Sequence, residues 1–246
     1  MPNPIVDLVE KELNWFQRVW TEDRDRRVSR RIFPDKNNLY PIPFFGDIRR
    51  AEVLTIAMNP AHDEFDHRQW PPHVAPTALN APALASRLLH YFDLPEPIPH
   101  SFFRQFSQML QMIDCGYRRN AAHIDLSSLP TVKPRQMTDQ QRPIFVENFV
   151  AFAARLNEVL RLATSKKLLL VADFKVNDGH GGQTSVWQLL GKHCPLVKLQ
   201  ANEGGELLPI LRAENIGALT SAILRNRHEI REHLKSSPPL AHPSHE

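Results

Sequence analysis

Glycine is scarce in this chain: nine glycines stand against 21 prolines in 246 residues. The one cluster, Gly179, Gly181 and Gly182, fits neither the GxxxxGK pattern of a P-loop nor GxGxxG, which argues against a glycine loop cradling phosphates. Cysteine is scarcer still. Cys115 and Cys194 lie far apart with no CxxC, so no disulfide framework is expected, and a reduced cytoplasmic protein with two buried thiols is the simplest expectation. No apolar run approaches the roughly 20 residues of a membrane-spanning helix, so no membrane partner is expected. The opening MPNPIVDLVEKEL lacks the basic-then-apolar layout of a secretory leader. The chain has 12 histidines but no HxH or HExxH cluster, which argues against a metal hydrolase. No metal and no cofactor are expected.

The sequence does supply a core and a modest positive charge. A 42% hydrophobic content over this length supports one domain, residues 1–235, with the tail SSPPLAHPSHE (236–246) disordered. A net charge of +3 tolerates a polyanionic partner without demanding one. Arg18, Arg24, Arg26, Arg27, Arg30 and Arg31 crowd one segment. With Glu22, Asp23 and Asp25 interleaved, that segment is either a solvated helix face or a phosphate contact; Arg24, Arg27, Arg30 and Arg31 are the candidates.

The stretch that organises the rest is AEVLTIAMNPAHDEF, Ala51 to Phe65. Val53 to Ala57 has the continuous apolar character of a strand covered on both faces, and Asn59-Pro60 stops it. Groups that do chemistry in such sheets lie beyond the carboxyl ends of the strands, where Asn59 falls. Ala121 to Leu126 and Lys167 to Val171 have the same character, and Pro195 to Leu199 is the expected fourth strand. Helices are expected from Asn3 or Asp7 onward, over Ala83–Phe92, Ser101–Ile113, Phe145–Thr164, around Val186–Leu190, and over Asn215–Leu234. The last should carry Ile216, Leu219, Ile223 and Leu224 on its core side. His62 to Pro82 and DFKVNDGHGGQTS are expected as loops. Alternating strands and helices predict an α/β fold, a three-layer sandwich with a central, mostly parallel four-stranded sheet.

In order along the chain, PIPFFGD, VLTIAMNP, HIDLSSLPT, KLLLVADF and CPLVKLQ resemble the motifs of the uracil-DNA glycosylase superfamily, over roughly Tyr40 to Leu224. The resemblance implies a flipped nucleotide whose glycosidic bond is hydrolysed by a water that the first-motif residue holds. Asn59 stands at that position, as in the branch of the superfamily carrying Asn there. An amide carbonyl orients water, which suffices when the transition state is already cationic. Alone, Asn59-Pro60 would read as an ordinary strand end.

Two positions bear on the substrate. The resemblance puts Ala61 where classical uracil enzymes carry a Tyr that blocks pyrimidine C5, so a 5-substituted base would fit. Asp125 aligns with the base-reading Asn of the second motif. An ionised Asp offers only acceptors and suits the amino group of cytosine; against uracil O4 it opposes acceptor to acceptor, a penalty of about 1–3 kcal/mol when buried. The expected substrate is therefore a 5-modified cytosine, hydroxymethylated or glucosylated, and a base foreign to host DNA implies defence against phages. Asp125 would serve equally as a turn cap over Ser127 and Ser128. His123 shares its strand face and would either orient the carboxylate or be an ordinary core histidine. Phe65 and Trp70 are the candidates for stacking on the base.

One departure from the superfamily is clear. No His-Pro-Ser-like motif follows the expected fourth strand; His242-Pro243-Ser244 lies in the tail, and His180 is the candidate substitute. No Lys occupies a motif position to form a Schiff base, so the expected enzyme is monofunctional and acts as a monomer on DNA. The rival expectations are a glycosylase repairing deaminated bases and a non-catalytic nucleic-acid-binding relative.

Overall fold

Val53–Ala57 (β1), Ala121–Asp125 (β2) and Leu168–Ala172 (β3) are five-residue strands buried at every position. Such burial is what a parallel sheet covered on both faces requires. The structure is a computed structural model that describes residues 3–33, 39–58, 80–93, 101–132, 136–173, 175–177, 182–185, 188 and 210–236. Its central sheet is wholly parallel, in the order β2-β1-β3-β6, where β6 is Ile210–Ala213.

Helix α1 spans Pro4–Arg24; Asn3 caps it by accepting from the Ile5 amide, and proline fills its first turn. Ile5, Leu8, Val9 and Phe16 are its buried stripe. The connection from β1 to β2 carries α2 (Ala81–Leu89) and α3 (Ser101–Gln111); α4 (Arg142–Leu162) joins β2 to β3. These two connections leave β1 and β2 in opposite directions along the sheet, so right-handed crossovers put α3 and α4 on opposite faces. Helix α5 (Ile216–Ser236) packs against β3 and α3, whereas α1 packs against α4 and α2. The result is the expected α/β sandwich of three layers.

The outer edge of β2 is covered by Phe45, which exchanges backbone hydrogen bonds of 2.8 and 3.0 Å with His123. Gly46 then turns with φ +88°, and a Cβ there would stand 2.9 Å from the Phe92 ring, so no other residue fits without a shift.

Three expectations are corrected. The fourth strand of the sheet is Ile210–Ala213, just before the last helix; Pro195–Leu199 lies outside the described residues, as does the expected helix around Val186–Leu190 apart from Gln188. The DFKVNDGHGGQTS stretch contains an antiparallel hairpin, β4 (Lys175–Asn177) with β5 (Gln183–Ser185). Leu224 on α5 is 52% exposed, because the buried stripe runs through Leu219, Ile223 and Leu234, one helical step away.

Candidate functional site

The order β2-β1-β3-β6 reverses direction between β1 and β3: the chain leaves β1 toward β2 but leaves β3 toward β6. In open parallel sheets the crevice at such a reversal, beyond the carboxyl ends of the strands, is where ligands bind. Ala57 and Ala172 end the two strands that flank the reversal; Asp125 ends β2, the other neighbour of β1, in register with Ala57. Pairing continues one step further, since the amides of Leu126 and Ser127 donate to the carbonyls of Ala57 and Met58, both at 3.0 Å. Met58, directly before Asn59, is thereby pinned against the turn that follows Asp125. On the other side, Asp173 follows β3 with its carboxylate 3.7 Å from Arg212 Nε.

Thr55, His123 and Asp125 share one face of β1 and β2, Thr55 being in register with His123. Their side chains form a continuous polar chain inside the core. Tyr117 Oη lies 2.7 Å from Thr55 Oγ1, which lies 2.7 Å from His123 Nδ1; the other ring nitrogen, Nε2, is 3.3 Å from Asp125 Oδ1. All four residues are buried, Thr55 and His123 completely and Asp125 to 3% exposure. The rings of Phe45, Phe102, Phe103 and Phe106 surround the imidazole at centroid distances of 5.3 to 5.8 Å. His123 is thus a fully hydrogen-bonded core histidine and also the partner of the Asp125 carboxylate, so the two alternatives posed by the sequence hold together.

Capping of the turn falls to another residue. Ser127 Oγ accepts from the Leu129 amide at 3.2 Å, and Ser128 Oγ donates to Glu12 Oε2 at 2.7 Å. Glu12 is fully buried on α1 and also accepts from Arg155 Nε of α4, whose guanidinium sits 3.8 Å over the Trp15 ring. Burial raises the Glu12 carboxyl above its ordinary value, against the opposing pull of Arg155 and Ser128. Burial likewise lowers Arg155, against the pull of Glu12. The turn after Asp125 is therefore held through Ser128 by a buried ion pair linking α1 and α4.

The arginine-rich segment is built around an acid. Asp23 is buried and accepts from the amides of Ile32 and Phe33 at 3.0 and 3.2 Å, which folds the chain back over the end of α1. Burial raises the Asp23 carboxyl despite those two donors. Arg31 donates to the carbonyls of Arg24 and Arg26, so its guanidinium closes the helix end. Arg24, Arg27 and Arg30 are exposed. The turn docks on the segment that continues from Ser128: the Val132 amide donates to the Ile32 carbonyl at 3.2 Å, and Gln141 Nε2 donates to the Arg31 carbonyl. Three solvent-facing guanidiniums are thus attached to the same loop that leaves β2 beside Asp125.

Of the residues singled out in the sequence, His123 and Asp125 are brought into contact, while Asn59, Ala61, Phe65, Trp70, His180 and His242 lie outside the described residues. Sequence reasoning missed Thr55, Tyr117, Glu12 and Arg155. Thr55 carried a signal, as the lone hydroxyl in the run VLTIA. Glu12 carried none, since an acid on an amphipathic helix is commonplace. Among the described residues no group of three or more His, Cys, Asp or Glu is arranged to hold a metal ion, and no helix is long and apolar enough to cross a membrane. No protein-family model, no curated protein and no solved structure matches the chain.

Proposed function

We propose that this protein is a monofunctional DNA glycosylase that hydrolyses the N-glycosidic bond of a 5-substituted cytosine. The observation that carries this reading is the Asp125 carboxylate: buried, tied to His123, and set at the carboxyl end of β2 in register with the strand that leads into Asn59-Pro60. A buried acceptor at that place favours a ligand that presents an N–H donor, as the amino group of cytosine does and O4 of uracil does not.

In the proposed reaction the target nucleotide is flipped out of the stack into the crevice at the strand ends. Water adds to C1′ of the sugar as the bond to the base nitrogen breaks; the base leaves with the bonding pair and ends with the proton that the water gives up. Asn59 orients the water through its side-chain carbonyl. Asp125 accepts from the exocyclic amine, and Ala61 leaves room beside C5 for a hydroxymethyl or glucosyl group. Arg24, Arg27 and Arg30 hold backbone phosphates. The enzyme works as a cytoplasmic monomer without a cofactor, and a substrate foreign to host DNA makes it a defence against phages with modified genomes.

The test uses single-stranded and duplex oligonucleotides carrying uracil, 5-hydroxymethylcytosine or its glucosylated form, scored for abasic sites. Abasic sites are expected with the modified cytosines and lost in Asn59→Ala with DNA binding retained. Asp125→Asn should shift preference toward uracil by roughly tenfold or more, the value of one mismatched buried hydrogen bond. Efficient release of uracil, with every modified cytosine ignored, would refute the reading. DNA binding without any excision would favour the non-catalytic relative.

A further inference from the structure

The polar chain Tyr117–Thr55–His123–Asp125 is more than a set of satisfied core groups, because its geometry constrains where the protons are. Thr55 has one hydroxyl proton and two acceptors within reach, His123 Nδ1 at 2.7 Å and the Ala122 carbonyl at 3.3 Å. With the proton directed to Nδ1, the neutral imidazole carries its own proton on Nε2 and donates it to Asp125 Oδ1. Tyr117 then donates to the vacant lone pair of Thr55. Every donor faces an acceptor, and the carboxylate ends the chain as a pure acceptor. In the opposite order Nδ1 donates to Thr55, Thr55 turns to Ala122, and the bare Nε2 faces Oδ1. Two acceptors then oppose each other inside an aromatic cage unless Oδ1 takes up a proton and donates it to Nε2. Reversing the chain therefore costs Asp125 its charge and leaves Oδ2 as a weaker, carbonyl-type acceptor for a ligand.

We propose that Tyr117, Thr55 and His123 are positioning residues that fix His123 in its Nε2–H tautomer and thereby hold Asp125 as an ionised carboxylate, the stronger acceptor for an amino group. His123 engages Oδ1, which assigns Oδ2 to the ligand. The substrate half of this inference rests on the glycosylase reading; the proton order does not.

The decisive comparison is Thr55→Val against Thr55→Ser. Valine nearly matches threonine in shape but removes the hydroxyl, whereas serine keeps the hydroxyl and leaves a methyl-sized void. Packing alone predicts that serine is the more damaging change; the proton chain predicts that valine is. Thr55→Val should lower the preference for modified cytosine over uracil about tenfold, through loss of one buried donor, while Thr55→Ser stays within about twofold of the parent. Nitrogen-15 NMR of the histidine rings should show His123 neutral with its proton on Nε2 in the parent and in Thr55→Ser, and exchanging between tautomers in Thr55→Val. A His123 proton on Nδ1 in the parent, an unchanged preference in Thr55→Val, or a larger loss in Thr55→Ser would each overturn the inference. If no oligonucleotide is cleaved, the glycosylase reading falls by itself, and the NMR result alone upholds or overturns the proton order.

Discussion

Removing one member of the Glu12–Arg155 pair should be far more damaging than removing both. Glu12 is fully buried and its two oxygens are occupied by Arg155 Nε and Ser128 Oγ. In Arg155→Met the carboxylate loses its counter-charge but stays in the core, a situation that costs about 3–5 kcal/mol. In a domain of this size each kcal/mol lowers Tm by roughly 2–4 °C, so a fall of about 10 °C is expected. Glu12→Met should cost about 3 kcal/mol, because Arg155 and Ser128 both lose their acceptor. The double variant should return to within about 1 kcal/mol of the parent, since for both partners burial outweighs mutual attraction and an apolar pair avoids that penalty. The pH dependence adds a check on sign. Glu12 titrates above its ordinary value of 4.5 in the folded state, so the folded protein binds more protons than the unfolded chain between the two values. Stability therefore falls as pH rises through that window. Losing Arg155 removes a pull that lowers the Glu12 value, so Arg155→Met should be least harmful near pH 4 and most harmful above the window. Urea unfolding of the four proteins at several pH values measures all of this. Single costs below about 1 kcal/mol that simply add in the double variant would show that the pair is not coupled, and would refute the reasoning.

Two further outcomes are expected. Replacing Arg24, Arg27 and Arg30 together by alanine should weaken binding to any DNA sequence and reduce the slope of log affinity against log salt by about 2–3 units, read from titrations at several salt concentrations; an unchanged slope would exclude the turn as a phosphate contact. Lys166 is 6% exposed, donates to the Ala163 carbonyl at 3.3 Å, and is lowered from 10.5 by burial. The unfolded chain therefore binds the extra proton between the lowered value and 10.5, and stability rises with pH across that window. Lys166→Met should stabilise the protein by about 1 kcal/mol at pH 7 and by less at pH 10, measured by urea melts.

The parallel sheet was legible because its strands are buried on both faces and leave an uninterrupted apolar signal, as in Val53–Ala57 and Leu168–Ala172. The edge strand Ile210–Ala213 was not, because Arg212 is largely exposed and the run ILRA is only four residues long. At the site, Asp125 and His123 share a strand face by simple alternation, so their proximity followed from spacing two. The partnership of Thr55 with His123 needed the register between two strands separated by more than sixty residues, which no local pattern encodes. The same holds for Glu12, whose partners Ser128 and Arg155 come from two other elements.

For a purely structural sheet this arrangement is a costly one. Burying a hydroxyl, an imidazole, a phenol and a carboxylate among phenylalanines forgoes the packing that apolar residues would give at the same positions, and each group must be hydrogen-bonded to avoid a penalty of about 1–3 kcal/mol. Positions where local rules are broken and the break is then carefully satisfied tend to be functional. Here the break is directional: the chain runs from Tyr117 through Thr55 and His123 and ends at Asp125, at the carboxyl end of the sheet and next to the end of β1. The proposed function asks for an acceptor presented to a bound ligand in a fixed orientation, and the end of this chain is where such an acceptor would stand.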